Sequence, residues 1–164
     1  MADYLVDIVN EKDEVVGQCM RSEAHSKRLL HRIVHVLIFN DQDHILLQTR
    51  AHKGDGAEGK LDASVGGHVD AGEGYAEAAW REMKEELGIE VPLKFSHKHF
   101  QLTDADFIHV TSCYYGTCNG PFKTDPKETT KLKFYSKNEI REFIQKNPKL
   151  FPGPECLYSL KPFL

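Results

Sequence analysis

The sequence contains no apolar run of the roughly 20 residues needed to cross a bilayer. Its polar start, MADYLVDIVNEKDE, also lacks the pattern of a secretory signal peptide. Hydrophobic residues make up 40% of the 164 residues and charged residues 28%, the balance of an ordinary soluble protein. We therefore expect one domain, residues 1–164, located in the cytoplasm and without a membrane partner.

Closely spaced cysteines are also absent. No C-x-x-C pair occurs, which argues against a zinc knuckle or a redox pair. The cysteines are widely scattered, at Cys19, Cys113, Cys118 and Cys156. We expect free thiols in a reducing compartment.

An excess of positive charge is missing as well. The net charge is −4 with histidines counted neutral, whereas a protein that binds nucleic acid stably carries a basic face. A phosphorylated small molecule remains a suitable partner, provided that a metal ion and a few local cations offset the repulsion.

The pattern of apolar residues predicts mostly strands, with two helices. Strands are expected at residues 4–9, 14–20, 33–39, 44–49, 94–101, 107–117 and 132–136. Helices are expected at residues 74–87, with Gly88 directly after the last turn, and at residues 138–146. The proline-containing tail should be irregular or hold one short helical turn. This order is typical of an α+β or α/β sandwich.

The helix over residues 74–87 has a distinct apolar stripe and a cluster of carboxylates beside it. With a step of about 100° per residue, the stripe should pack on a core. Its members are Ala76, Ala79, Trp80, Met83 and Leu87. Glu82, Glu85 and Glu86 stand at i, i+3 and i+4, so their side chains cluster on the adjacent face.

The three carboxylates repel each other, and Glu85 and Glu86 also lie near the negative end of the helix dipole. A divalent ion that prefers oxygen ligands, such as Mg²⁺ or Mn²⁺, would remove this cost. A bare E-x-x-E-E pattern is nevertheless more often a charged, solvated face.

The residues before the helix favour a ligand site. Gly66, Gly67 and Gly72 permit positive φ and a close approach of the backbone to a ligand, just before a helix N-terminus. The whole segment resembles the Nudix box, G-x5-E-x7-R-E-U-x-E-E-x-G-U with U aliphatic. Every fixed position matches at the required spacing: Gly67, Glu73, Arg81, Glu82, Met83, Glu85, Glu86, Gly88 and Ile89.

The resemblance implies an α/β fold, namely an α/β/α sandwich with a mixed central sheet and a loop–helix–loop catalytic motif. It also implies that Glu82, Glu85 and Glu86 bind Mg²⁺, for which Mn²⁺ could substitute, with the backbone carbonyl of Gly66 as a further ligand. The implied reaction is attack of a metal-activated water on a diphosphate linkage in a nucleoside diphosphate joined to another group. Dimers are common in the family.

Five further residues are candidates in the site. By resemblance, Arg81 orients the carboxylates and Glu73 supports the loop and the helix. Glu128 lies in a turn before a predicted strand, where many family members place an additional glutamate near the metal. Arg50 ends a strand and could reach phosphate, and His68 lies inside the box loop beside the expected diphosphate. Each of the last three is also compatible with an ordinary structural or surface role.

The flanking sequence is similar to the isopentenyl-diphosphate isomerase branch of the same superfamily, over LLHRIVHVLIFNDQDHILLQTR and GHVDAGE. That branch holds a metal with histidines and glutamates, and His25, His31 and His68 fall near its metal-binding positions. It protonates its substrate with a cysteine, but the corresponding stretch here reads SVGG, without a thiol. The strand over residues 107–117 offers His109 in place of the isomerase's glutamate pair.

Three hypotheses follow. Hydrolysis agrees with the intact box, isomerisation lacks its acid and much of its metal cage, and a non-catalytic nucleotide-binding domain would not be expected to retain so costly a carboxylate cluster.

Overall fold

The computed structural model describes residues 3–51, 57–101, 109–124, 126–127 and 129–164. These residues form nine strands and four α-helices, followed in the tail by short 3-10 turns. The strands are β1 (Leu5–Val9), β2 (Val15–Met20), β3 (His31–Phe39), β4 (Ile45–Arg50), β5 (Leu61–Asp62), β6 (Val65–His68), β7 (Lys94–Gln101), β8 (His109–Thr117) and β9 (Thr129–Tyr135). The helices are α1 (Arg21–Ser26), α2 (Tyr75–Leu87), α3 (Lys137–Lys146) and α4 (Pro154–Leu160).

The long, largely buried strand β3 lies at the centre of one mixed sheet. It pairs antiparallel with β1, β4 and β6 and parallel with β8. Farther out, β2 pairs with β1, β5 and β9 pair with β4, and β7 pairs with β8. Because β3 has neighbours in the sheet and helices over both faces, a nearly continuous apolar run is what this position requires. The α/β fold with a mixed central sheet is confirmed.

Side chains alternate along β3 and so divide the core into two parts. Towards α2 the core contains Val34, Val36, Ile38, Ala78, Ala79, Met83 and Leu87. Towards α3 and α4 it contains Leu37, Phe39, Ile45, Leu47, Ile140, Cys156 and Leu160. The sheet is therefore the middle layer, with α2 on one face and α3 and α4 on the other.

The buried stripe of α2 differs from the predicted one. Ala76 and Trp80 were expected in the core, but both are exposed, and Trp80 as a whole residue is 42% exposed. Ala78 is fully buried instead. The small side chain of Ala78 lets the helix lie close to the sheet, so the buried face of the helix lies nearer to the glutamates than predicted. Trp80 packs beneath Lys84, whose Nζ is 4.9 Å from the ring centroid.

Several short elements were not predicted. α1 and β5 are too brief to show a periodic pattern, and β6 is rich in glycine. The tail, expected to hold one short turn at most, forms the seven-residue helix α4 with a proline at its start. No helix within the described ranges has the length and apolar character needed to cross a membrane.

Candidate functional site

The loop between β6 and α2 is fixed by backbone hydrogen bonds to carboxylates. The Asp70 N–H donates to Glu73 Oε2 at 3.0 Å, and the Gly72 N–H donates to Asp7 Oδ2, also at 3.0 Å. Gly72 has a φ of 79°, a conformation that favours glycine. The helix ends as expected at Gly88, which has a φ of 65° and donates its N–H to the carbonyl of Lys84.

Arg81 connects this loop to the helix. Its Nε and Nη2 donate to the two oxygens of Glu73 at 2.9 and 2.8 Å, a bidentate pair. Nη2 also donates to the backbone carbonyl of His68 at 3.0 Å, and Nη1 donates to Glu82 Oε1 at 2.8 Å. The hydrogen bond to Glu73 is the main reason that the pKa of Arg81 is raised. Burial alone would raise the pKa of Glu73, but the hydrogen bonds from Arg81 lower it.

Glu82 lies directly against Gly67. A Cβ placed on Gly67 would fall 2.1 Å from the carboxylate carbon of Glu82, so only a glycine fits at this position with the carboxylate where it is. Burial raises the pKa of Glu82 to about 7, the charges of Glu85 and Asp70 add to this effect, and Arg81 opposes it. This carboxylate would therefore gain from a second nearby cation.

The other two glutamates project from the same helix but have separate surroundings. The side chain of Glu85 is 60% exposed and its Oε2 lies 3.4 Å from Arg81 Nη1. Glu86 Oε2 accepts a hydrogen bond from Gln48 Nε2 at 3.1 Å. Among the described residues, groups of three or more ligand-type side chains with donor atoms within 4.8 Å occur at histidines and Cys113, and the three glutamates do not form one. Their role as a shared ligand set remains a prediction.

The remaining candidates are placed as follows. Gly66 pairs with His35 across β6 and β3, and a Cβ there would fall 3.2 Å from the His35 ring. Arg50, expected to contact phosphate, donates from Nη1 to Asp62 Oδ2 at 2.9 Å. Glu128 lies outside the described residues.

His68 points away from the glutamates. Gly67 faces α2, and because side chains alternate along a strand, His68 faces the opposite side of the sheet. There its Nε2 lies 2.9 Å from the Nε2 of His25, and its ring stacks on His31 with the centroids 5.3 Å apart. His109 completes a group of four imidazoles whose donor nitrogens all lie within 4.8 Å of one another.

This four-histidine cluster has the donors for a transition metal. Burial is the main cause that lowers the pKa of each of the four rings, and the pKa of His25 falls to about 4. Neutral imidazoles are therefore expected at physiological pH. Neutral imidazole suits Zn²⁺ and related ions better than Mg²⁺. The resemblance to the isomerase branch pointed to three of these histidines. The fourth, His109, joins them because the parallel register of β3 and β8 pairs it with His31.

Comparisons with known proteins agree with the architecture. The family model of the NUDIX domain matches residues 29–154. An uncharacterized Nudix hydrolase of Yersinia pestis is 34% identical over 135 residues, which cover 82% of this chain and 74% of that protein.

Two solved structures are similar in fold. A crystal structure from Deinococcus radiodurans has a TM-score of 0.75 at 24% identity and covers 87% of this chain and 90% of its own. The NUDIX domain of NrtR from Shewanella oneidensis, crystallised with ADP ribose, has a TM-score of 0.56 at 18% identity and covers 68% of this chain and 75% of its own.

Proposed function

The chain belongs to the Nudix family and is a Nudix hydrolase, and we propose that it uses Mg²⁺ to hydrolyse a diphosphate linkage. The proposed substrate is a nucleoside diphosphate joined to another group. Glu82, Glu85 and Glu86 are the proposed metal ligands, with the Gly66 carbonyl as a further one. Mn²⁺ is expected to substitute.

One observation carries the proposal: the Glu82 carboxylate is held in a fixed position while Arg81 offsets only part of the electrostatic cost of its burial. Its side chain is only 13% exposed, and the missing Cβ of Gly67 provides its space. A single guanidinium, Arg81, lies between it and the carboxylates of Glu73 and Glu85. The carboxylates of Glu82, Glu85 and Glu86, which directly follows Glu85 in the helix, offer oxygen ligands. A hard divalent cation prefers such ligands.

The residues of the chain would divide the work between them. Glu73 holds Arg81 through two hydrogen bonds, and Arg81 in turn fixes the direction of the Glu82 carboxylate. Gln48 orients one oxygen of Glu86. When bound, Mg²⁺ would neutralise diphosphate oxygens and lower the pKa of an attacking water.

The substrate class rests on less direct support. The NUDIX domain of NrtR was crystallised with ADP ribose, a nucleoside diphosphate joined to a second sugar. Net negative charge disfavours polyanions such as nucleic acid, so we propose a small phosphorylated molecule.

Cleavage of a panel of nucleoside diphosphate sugars, dinucleotides and nucleoside triphosphates tests the proposal, with Mg²⁺, with Mn²⁺ and with chelator, and the nucleoside monophosphate formed is measured by chromatography. Glu82→Gln and Glu86→Gln should each lower kcat/KM by about 100-fold or more, since each removes a proposed metal ligand. Glu77→Gln is the matched control, because Glu77 lies on the exposed side of the same helix and glutamine can still accept the hydrogen bond from the Gly74 N–H. Absence of turnover on the whole panel, or full activity in both variants, would contradict the proposal.

The same samples separate the two other hypotheses. Isopentenyl diphosphate followed by NMR should show no isomerisation, because Gly66–Gly67 offers no thiol at the position of the isomerase acid. Calorimetry that detects tight nucleotide binding without hydrolysis would indicate a non-catalytic domain instead.

A further inference from the structure

A second group of metal-type ligands lies apart from both the glutamates and the four-histidine cluster. His97 and His99 stand two residues apart on β7 and so face the same side of the sheet. Cys113, on the neighbouring strand β8, is paired with His97. One donor atom from each of these three side chains lies within 4.8 Å of the other two.

The distances match a coordination sphere. Cys113 Sγ lies 3.8 Å from His99 Nδ1. In a tetrahedral zinc site, bonds of about 2.3 Å to sulfur and 2.0 Å to nitrogen place the two ligand atoms about 3.6 Å apart. The rings of His97 and His99 are nearly parallel, with an interplanar angle of 24° and centroids 5.7 Å apart.

The surroundings of the group are already arranged around its ligands. Cys113 Sγ lies 3.2 Å from Ser159 Oγ, and His97 Nε2 lies 3.1 Å from the backbone carbonyl of Tyr158. Both partners belong to α4, which covers this part of the sheet. Nδ1 of His99 is the ring nitrogen beside Cys113 Sγ and is therefore the atom placed to bind an ion, so the buried Nε2 is left to carry the ring proton.

We propose that His97, His99 and Cys113 bind a transition metal ion of the Zn²⁺ class, on the sheet face opposite the glutamate helix. The ion displaces the thiol proton of Cys113 to solvent, because a thiolate is the ligand form. Ser159 and the Tyr158 carbonyl lie in contact with the ligands and orient them, as outer-shell groups do in other metal sites. Three protein ligands leave a fourth position for water.

Titration of the full chain with Co²⁺, in the absence of Zn²⁺, tests the site. A cobalt–thiolate bond produces a charge-transfer band in the near ultraviolet, which neither imidazole nor carboxylate ligands produce. The band should saturate at one equivalent for this site and disappear when Zn²⁺ is added. It should be lost in Cys113→Ala and kept in Cys19→Ala, a control in which a thiol on the distant strand β2 is removed.

Two results would overturn the proposal: no band in the folded wild-type chain, or a band that survives in Cys113→Ala. If Cys113→Ala does not fold, His97→Asn takes its place, because His97 is only half-buried. It should weaken Co²⁺ binding, followed by the same band, by about 10-fold or more. An unchanged affinity would equally overturn the site.

Discussion

Adding one methyl group at Gly67 should disable the proposed site while leaving the fold intact. In Gly67→Ala the new Cβ would fall 2.1 Å from the Glu82 carboxylate carbon and 2.2 Å from its Oε1. The carboxylate carbon must therefore move by at least about 1.3 Å to reach an ordinary contact of 3.4 Å. The movement also disturbs the 2.8 Å hydrogen bond from Arg81 Nη1.

The size of the effect follows from this displacement. A misplacement of about 1 Å in a catalytic group costs about 100-fold in rate, so kcat/KM should fall by about 100-fold at saturating Mg²⁺. The atoms in conflict are the far end of a flexible side chain, so the loss of stability should be at the low end of the range of about 1–3 kcal/mol for overpacking.

The assay combines two measurements: kcat/KM on the best substrate of the panel, and the free energy of unfolding from chemical denaturation. Gly17→Ala is the matched control, because a Cβ at Gly17 meets no atom within 4 Å and both quantities should stay near wild type. A folded Gly67→Ala protein whose kcat/KM is within about 3-fold of wild type would refute the reasoning, since Glu82 would then be free to move without consequence.

Three further variants test other parts of the structure. Arg81→Lys should lower kcat/KM by about 100-fold, because a single ammonium cannot reproduce the bidentate bond to Glu73 while also reaching Glu82. In metal-free protein, the raised pKa of Glu82, about 7 against 4.5, means that the folded state holds this proton more tightly than the unfolded chain. Glu82 alone should thus contribute a fall in stability as pH rises from about 4.5 to about 7, so the free energy of unfolding of wild type minus that of Glu82→Gln should fall over this range. Asp13→Asn should cost about 1–3 kcal/mol in unfolding free energy with little change in kcat/KM, because a half-buried charged acceptor for Arg32 and Lys98 is lost at a position whose positive φ asparagine tolerates.

Each of these variants has a control and a contradicting result. Lys84→Gln removes an exposed cation from the same helix as Arg81 and should keep wild-type kcat/KM, so an equal loss in both would deny Arg81 a specific role. If the free energy of unfolding of wild type minus that of Glu82→Gln rises with pH between about 4.5 and 7, the sign expected for Glu82 is reversed. Asp43→Asn changes an aspartate that also has positive φ but is largely exposed, and a stability loss as large as that of Asp13→Asn would argue against the ion pairs of Asp13 as the cause.

Most of the fold could be predicted from local sequence patterns. The bounds of α2 and β7 follow from periodicity and from Gly88, since those signals arise within the segment itself. The burial of Trp80 was mispredicted because helical periodicity locates an apolar side but not its exact centre. That centre depends on what the helix packs against. Here the sheet lies so close to the helix that Ala78 is buried and Glu82 lies directly against Gly67.

The candidate site was predictable only where it is contiguous in sequence. The box residues lie within one segment, so their spacing alone brings Glu73, Arg81 and Glu82 together. The histidine and cysteine groups combine residues from different helices and strands. His31 meets His109, and His97 meets Cys113, through strand register that no local pattern encodes.

The alternation of side chains along β6 makes insertions and deletions in this strand differ in effect from substitutions. Gly67 and His68 are neighbours in sequence, yet Gly67 leaves room for the Glu82 carboxylate on one face and His68 contributes its imidazole to the histidine cluster on the opposite face. Inserting or deleting one codon within β6 would reverse both directions at once, turning an imidazole towards the glutamates and a glycine towards the histidines. Substitutions in β6 should therefore damage one set of donors at a time, whereas a frame-preserving single-residue insertion or deletion should damage both sets together.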